Sequence, residues 1–202
     1  IYSPMKRLSA ILLALPLVLC GACSEEEETL PQQRERIVSY LTATHSPTLV
    51  DESEVDTESQ QAFYTTLGNT VYRYIDNYYD PARPGRTEVT ASSKVTITFR
   101  AYVFNFANIT DSTFPFYSND PLLKSAYEEM GLTSGAWSFE PLQIDMRSGN
   151  IIKGLRLALL GCRQGDEVEA YMTYNMAYGD TNFSTIARES PLAWFFTVDA
   201  VE

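Results

Sequence analysis

The side chains most often used for acid–base and nucleophilic chemistry are scarce in this chain. Among 202 residues there is one histidine, His45, and there are three cysteines, Cys20, Cys23 and Cys162. A zinc site or another soft-metal site needs several such ligands close together, so we expect no metal centre. A Ser-His-Asp hydrolase would have to use His45, which lies in a polar arm of the sequence. The sequence therefore favours neither a metalloenzyme nor a serine hydrolase.

Cys162 has two interpretations. It follows Leu159-Leu160-Gly161, where a predicted helix ends. We favour a small buried hydrophobic residue, because structural cysteines in apolar surroundings are inert. The alternative is a reactive nucleophile. If Cys20 and Cys23 belong to an export signal, as argued below, Cys162 has no partner for a disulfide.

The net charge opposes binding to nucleic acid. The formal charge is −11, whereas nucleic-acid binding draws its affinity from clustered Lys and Arg that release counterions. The sequence also has no glycine-rich phosphate loop and no internal repeat, so nothing indicates a nucleotide-binding protein or a solenoid. We expect no cofactor.

Residues 1–22 have the organisation of an export signal. Lys6 and Arg7 follow Met5, which we take as the true start, and precede an apolar run over residues 8–19. A run of about 12 apolar residues is too short to span a bilayer, which needs roughly 20. Gly21-Ala22-Cys23 is similar to the end of a bacterial lipobox, which implies that Cys23 becomes the lipidated first residue. The alternative is cleavage elsewhere, which would release a soluble periplasmic protein.

Residues 23–62 are predicted to form an acidic tether and arm. Ser24-Glu25-Glu26-Glu27-Glu28 is similar to the acidic signal that sends many Bacteroidota lipoproteins to the outer face of the outer membrane. A solvated spacer is the plainer interpretation, and both can hold. Within the arm, apolar residues recur among charged ones over residues 32–41 and predict a short helix. We expect a monomer anchored to the outer membrane through its lipid, with surface exposure favoured over the periplasmic side.

Residues 63–202 are predicted to form one folded domain. Period-2 alternation or β-branched and aromatic composition predicts about five strands, over residues 71–75, 94–103, 142–146, 167–174 and 192–201. Residues 151–160 predict a short helix that ends at Gly161 and packs on the sheet. The pattern is that of an α+β fold. Residues 105–134 form a long excursion with a possible helix over 121–130, and such loops are often functional.

Four short motifs follow one another in the second half of the chain: Ile151-Ile152-Lys153-Gly154-Leu155, Gly165-Asp166, Ala177-Tyr178-Gly179 and Ser190-Pro191-Leu192. In this order they resemble the FKBP family of peptidyl-prolyl isomerases. The resemblance covers about residues 71–202, is strongest after Pro141, and is closest to FKBP-like lipoproteins of Bacteroidota. It implies a bent antiparallel sheet wrapped around one short helix, with an apolar cavity between them.

The resemblance also implies a site. In the family, a backbone N–H and a tyrosine hydroxyl donate to the rotated amide, and the matching groups here are the N–H of Ile152 and the hydroxyl of Tyr178. The implied substrates are proline-containing polypeptides. The plainer interpretation is that these positions are core, with Tyr178 a partly buried core tyrosine. The other matching pocket positions are Phe99, Phe116, Leu142, Ile151, Leu155, Ile186 and Trp194.

Three positions differ from the family pattern. Leu155 stands where well-studied members often have Trp, and Phe99 stands where many have Tyr. The family's aromatic-Asp pair could match Phe116-Tyr117-Ser118-Asn119 or, less well, Thr110-Asp111-Ser112. If Phe116 is the aromatic wall, Tyr117 replaces the acid. The leading hypothesis is an isomerase that assists the folding of exported or surface proteins, and the alternative is a non-catalytic peptide-binding or protein-binding module. A structural adhesin-like β-domain comes third, since it does not explain the spacing from Gly154 to Tyr178.

Overall fold

The structure is a computed structural model that describes residues 21–131 and 138–202. The predicted signal segment up to Cys20 lies outside the described residues, as do residues 132–134 at the end of the predicted excursion. The side chain of Cys23, the predicted lipidation site, is likewise outside the description.

Within these residues there are three α-helices and eight strands. The helices are α1 (Gly21–Thr44), α2 (Lys124–Glu129) and α3 (Lys153–Leu159). The strands are β1 (Thr48–Asp51), β2 (Phe63–Leu67), β3 (Val71–Ile75), β4 (Lys94–Val103), β5 (Tyr117–Ser118), β6 (Leu142–Asp145), β7 (Glu167–Met172) and β8 (Leu192–Val201).

All eight strands belong to one sheet. The order is β1-β2-β3-β7-β8-β4-β5, and β6 also pairs with β4. Every pairing is antiparallel except that of β1 with β2. The predicted α+β class is confirmed, but the sheet is mixed and has more strands than the five expected. The missed strand β2 joins β3 through Gly68 and Asn69, which both have positive φ, as in primed hairpin turns.

The two faces of the sheet pack on different helices. Along β8, Leu192, Trp194, Phe196 and Val198 belong to the main core, which includes the buried residues of α3. The alternate residues Ala193 and Phe195 face a second cluster formed with α1. This alternation is the period-2 pattern of a strand buried on both faces. The sheet is therefore a middle layer between α3 and α1.

Helix α1 is the largest difference from the sequence analysis, which placed a helix only over residues 32–41 and began the folded domain at residue 63. Ile37 and Leu41 of α1 are buried against Tyr64, Phe104 and other aromatic side chains of the sheet. The apolar spacing predicted the helix, but a spacing does not reveal which surface the helix covers. Residues before Phe63 are thus part of the packed body. No helix among the described residues is long and apolar enough to cross a membrane.

A buried arginine fixes the end of α3. Nη1 of Arg73, on β3, donates to the carbonyl oxygens of Ala158, at 3.0 Å, and Leu160. A cation at this position satisfies carbonyls that the helix leaves unpaired and complements the helix dipole. Cys162 lies beside it, and burial raises the pKa of its thiol to about 11. The structure therefore places Cys162 as a buried side chain, in agreement with the favoured interpretation.

Candidate functional site

A groove of about 500 Å³ lies between β6, the start of α3, the segment that follows β7, and β8. This volume is in the usual range for sites that take small ligands or short peptide segments. Its lining is apolar toward α3 and β8 and mixed along β6, where Leu142 and Ile144 alternate with Gln143 and Asp145. The lining residues are Leu142, Gln143, Ile144, Asp145, Ser148, Asn150, Ile151, Ile152, Leu155, Tyr178, Phe183 and Trp194.

Six of the nine predicted site residues line this groove: Leu142, Ile151, Ile152, Leu155, Tyr178 and Trp194. The other three, Phe99, Phe116 and Ile186, are not in its lining. Phe99 and Ile186 are buried in the main core, and Phe116 packs against that core from its edge. Phe99 supports the groove from behind, because its ring stacks on Trp194 with centroids 4.7 Å apart.

Trp194 and Leu155 form the floor of the groove. Trp194 comes from β8 and is 4% exposed, while Leu155 comes from the first turn of α3. The large aromatic side chain is therefore supplied by the strand and the smaller aliphatic one by the helix. Nε1 of Trp194 is buried and has no hydrogen-bond partner among the described residues.

The backbone N–H of Ile152 is an available donor at the edge of the groove. Ile152 is the residue before α3, with φ −60° and ψ 142°, and its carbonyl oxygen accepts from the N–H of Arg156 at 3.1 Å. Its own N–H has no acceptor within the described residues. The first N–H groups of a helix are unpaired by geometry, so α3 presents this donor without any distortion.

Gly154 lets α3 approach the segment that carries Tyr178. A Cβ atom at this position would lie 2.9 Å from the carbonyl oxygen of Met176 and would also collide with the Met172 side chain. Only glycine allows this approach. The motif Ile151 to Leu155 thus combines a donor, a floor residue and a point of contact with the next motif.

Tyr178 lies in a loop, residues 174–189, that we call the Tyr178 loop. The N–H of Gly179, which has φ +71°, donates to the carbonyl of Tyr174 at 2.9 Å and closes a tight turn around Tyr178. The Tyr178 hydroxyl has no hydrogen-bond partner among the residues that the structure describes. Burial raises its pKa, and nearby Tyr117 adds to the effect, so the hydroxyl stays protonated as a donor at neutral pH.

Phe183 is a site residue that the sequence analysis did not assign. Its ring stacks on Tyr178 with centroids 4.1 Å apart and planes 6° apart, and it is 50% exposed. It forms the outer wall of the groove. The available signal was an aromatic residue in an otherwise polar segment, five positions after Tyr178.

The match to a known family covers these same elements. Residues 126–199 match the sequence model of FKBP-type peptidyl-prolyl cis-trans isomerase. This part of the chain is therefore similar to FKBP-type domains. The expected FKBP-like fold, a sheet wrapped around one short helix, is thereby confirmed.

Solved structures of FKBP domains resemble the chain only distantly. The N-terminal domain of FKBP42 from Arabidopsis thaliana is 16% identical, with 74% of this chain and 95% of that chain covered and a TM-score of 0.47. A multi-domain immunophilin from Arabidopsis thaliana is 15% identical, with 66% and 43% covered and a TM-score of 0.45. No curated protein matches the sequence.

In this FKBP-like fold, Tyr117 stands at the better match to the expected family acid, so that position holds no carboxylate. Tyr117 packs edge-on against Phe99, with ring centroids 5.0 Å apart. Asn119 is buried, and its Oδ1 accepts from the Phe99 N–H at 2.7 Å while its Nδ2 donates to the carbonyls of Ile97 and Glu140. Asn119 therefore completes the hydrogen bonding of β4 and does not face a ligand.

Among the described residues that line the groove, Asp145 is the one with a carboxylate. Its pKa is lowered to about 2, first by the side-chain hydrogen bond from Arg147, whose Nη2 lies 2.8 Å from Oδ2. The pair lies at the solvent edge of the groove and leaves little net charge there. Across residues 21–131 and 138–202, no group of three or more His, Cys, Asp or Glu is arranged to hold a metal ion.

Proposed function

We propose that the FKBP-type domain is a peptidyl-prolyl cis-trans isomerase that acts on proline-containing segments of exported or surface proteins. One observation carries the proposal: the Ile152 N–H and the Tyr178 hydroxyl border the same apolar groove, and neither has a partner among the described residues. Two free donors beside an apolar floor suit an amide carbonyl attached to a proline ring.

The reaction breaks no covalent bond. Rotation about the prolyl amide is opposed by a resonance barrier of about 18 to 20 kcal/mol. An apolar groove favours the twisted amide, because that state has less charge separation and needs less solvation. Donors placed for the carbonyl oxygen in its rotated position stabilise the transition state further. Each decrease of about 1.36 kcal/mol in the activation free energy raises the rate tenfold.

We also propose that the protein is a Bacteroidota-type lipoprotein, anchored through Cys23 to the outer membrane and exposed at the surface as a monomer. The proposal rests on the small residues before Cys23, the short apolar run before them and the four glutamates after it. An isomerase at that place would serve chains whose folding waits for a cis proline, an exchange that takes tens of seconds or more without catalysis.

The alternative is a module that binds proline-containing segments without catalysing their isomerisation. Its support is specific: Tyr117 and Asn119 occupy the segment where the family acid was expected, and Asn119 is fully engaged with β4. A binding module needs the groove and its donors but does not need transition-state stabilisation.

The deciding experiment measures cis-to-trans rates of peptides with Leu, Phe or Ala before Pro, with a protein of residues 24–202. Isomerisation should be accelerated, and Tyr178→Phe should lower kcat/KM about tenfold, the effect of one hydrogen bond of about 1.4 kcal/mol. Tyr79→Phe is the matched control, because the Tyr79 hydroxyl bonds to the Gln61 carbonyl far from the groove lining. Peptide binding without any acceleration would overturn the isomerase and establish the module.

A further inference from the structure

We propose that Gln33 of α1 is a positioning residue for the Tyr178 loop, so that the N-terminal helix sets the geometry of the groove on the far side of the sheet. The inference rests on the proposed function in so far as it predicts an effect on isomerisation. It makes a separate prediction about the loop, which holds whether or not the domain is an enzyme.

The side chain of Gln33 joins both ends of the Tyr178 loop. Its Nε2 donates to the carbonyl oxygen of Glu189 at 2.7 Å, and its Oε1 accepts from the N–H of Tyr174 at 3.0 Å. These partners lie 156 and 141 residues away in sequence. Gln33 is 7% exposed, so water cannot replace either bond without opening the contact.

Only an amide side chain fits both partners at once. One end of the loop offers a backbone donor and the other a backbone acceptor, and Gln and Asn are the residues that carry a donor and an acceptor on one planar group. Loss of the Gln33 amide would therefore remove a hydrogen bond from each end of the loop at once, from the Tyr174 N–H and from the Glu189 carbonyl.

Glu189 needs this support because of its backbone conformation. Its φ is +57°, in the left-handed region that residues with a side chain adopt only when their surroundings hold them there. Its N–H donates to the carbonyl of Gly179 at 2.9 Å, directly beside Tyr178. A shift of the Glu189 backbone would therefore also move Gly179, the residue next to the proposed catalytic tyrosine.

Helix α1 is a rigid reference for this contact. Gln33, Ile37 and Leu41 are spaced at i, i+4 and i+8 and lie on one face of the helix. Ile37 and Leu41 are 0% and 1% exposed in the cluster that binds α1 to the sheet. The helix is therefore fixed to the sheet by two buried side chains, and Gln33, one turn before them, holds the loop at a set distance.

The test compares three variants of the protein. Gln33→Met keeps the length of the side chain and removes both hydrogen bonds, and Gln33→Glu keeps the acceptor for Tyr174 but loses the donor to Glu189. Gln32→Met is the control, because it makes the same change at the neighbouring residue of α1, which is exposed and makes no hydrogen bond to the loop among the described residues. Hydrogen exchange of the Tyr174 amide and of residues 174–189 is measured by NMR, together with kcat/KM on prolyl peptides.

For Gln33→Met we expect exchange in the loop to rise at least about tenfold and kcat/KM to fall about tenfold, mostly in kcat, because a misplaced donor affects the transition state first. Gln33→Glu should lie between Gln33→Met and the wild type. Gln32→Met should leave loop exchange and kcat/KM within about twofold of the wild type, since both hydrogen bonds of Gln33 are intact.

Two results would overturn the inference: unchanged loop exchange in Gln33→Met, or a loss of kcat/KM in Gln32→Met equal to that in Gln33→Met. If the wild-type protein does not accelerate isomerisation at all, the proposed function fails, and the exchange measurement still decides whether Gln33 holds the loop.

Discussion

Gly154 lies so close to Met176 that a Cβ atom at residue 154 would be 2.9 Å from the Met176 carbonyl oxygen. This contact joins the first turn of α3, next to the Ile152 donor, to the backbone that leads into Tyr178. The distance between the two proposed donors therefore depends on the missing side chain of Gly154.

Gly154→Ala should destabilise the protein and weaken isomerisation. In an exposed helix the change would be favourable by about 1 kcal/mol, but here the added methyl group must push the backbone of residue 176 away. We expect a net loss of about 1 to 3 kcal/mol in the free energy of unfolding, the usual cost of overpacking, and a larger loss in kcat than in peptide affinity. Urea denaturation and peptide kinetics measure both.

Gly85→Ala is the matched control for this change, because a Cβ at residue 85 would meet nothing within 4 Å. It should leave stability and activity almost unchanged. Equal stability of Gly154→Ala and the wild type would contradict the close approach of α3 to the loop.

Asn119→Asp should destabilise the protein in a pH-dependent way. The carboxylate could still accept from the Phe99 N–H, but its other oxygen would face the carbonyls of Ile97 and Glu140, which now accept from Nδ2. Burial and these carbonyls would raise the folded-state pKa of the new carboxyl group above its ordinary value of about 3.9. The protonated form of this carboxyl group therefore fits the site better than the carboxylate does.

The raised pKa determines the direction in which the stability of this variant changes with pH. Stability of Asn119→Asp should be closest to wild type below about pH 4 and should fall as pH rises through the folded-state pKa, with a deficit of about 1 to 3 kcal/mol at pH 7. Denaturation at pH 4 and pH 7 measures it, with Asn105→Asp as an exposed control. A deficit that is the same at both pH values would show that the side chain does not face carbonyl oxygens.

Glu169→Gln should stabilise the protein at neutral pH. Burial raises the pKa of Glu169, even though the hydroxyls of Tyr64 and Tyr171 donate to it at 3.2 and 3.3 Å and His45 lies nearby. A raised folded-state pKa gives stability that is fully present below the unfolded pKa and is lost as pH rises through the folded value. Glutamine keeps an acceptor for both hydroxyls without the charge.

The gain from Glu169→Gln should therefore be largest near pH 7 and should vanish toward pH 4. Chemical denaturation at several pH values measures it, and Glu167→Gln, an exposed change on the same strand, is the control. If both variants behave alike, the charge of Glu169 is not the cause of the pH dependence.

Much of the central architecture could be predicted because it depends on local pattern. The alternation over residues 94–103 and 192–201 matches the bounds of β4 and β8, and the short helix expected over 151–160 is α3. The packing of Phe99 behind the groove, on Trp194, could not be predicted, since the period of 2 assigns a strand residue to a face of the sheet and not to a depth below it. The same limit hid Phe183, whose place depends on how the Tyr178 loop folds back.

The contacts of α1 could not be predicted for another reason. Gln33 binds partners more than 140 residues away, at 156 and 141 positions, and no local pattern marks a glutamine as buried. The parallel pairing of β1 with β2 is similar, because β1 is four residues long and its partner follows an irregular segment. Long-range pairing of short segments has little local signal.

Strand β4 pairs along one edge with β5 at Arg100 and Ala101 and with β6 from Lys94 to Ile97, and Asn119 closes the gap between them. The chain therefore leaves the sheet after β5 and re-enters it at β6 on the same strand, so both ends of the intervening segment are held by β4. Doubling the length of such a loop costs only about 0.6 kcal/mol in closure entropy. Because β4 fixes both ends, a change in the length of chain between β5 and β6 should leave the register of β4, the groove and both helical layers as they are.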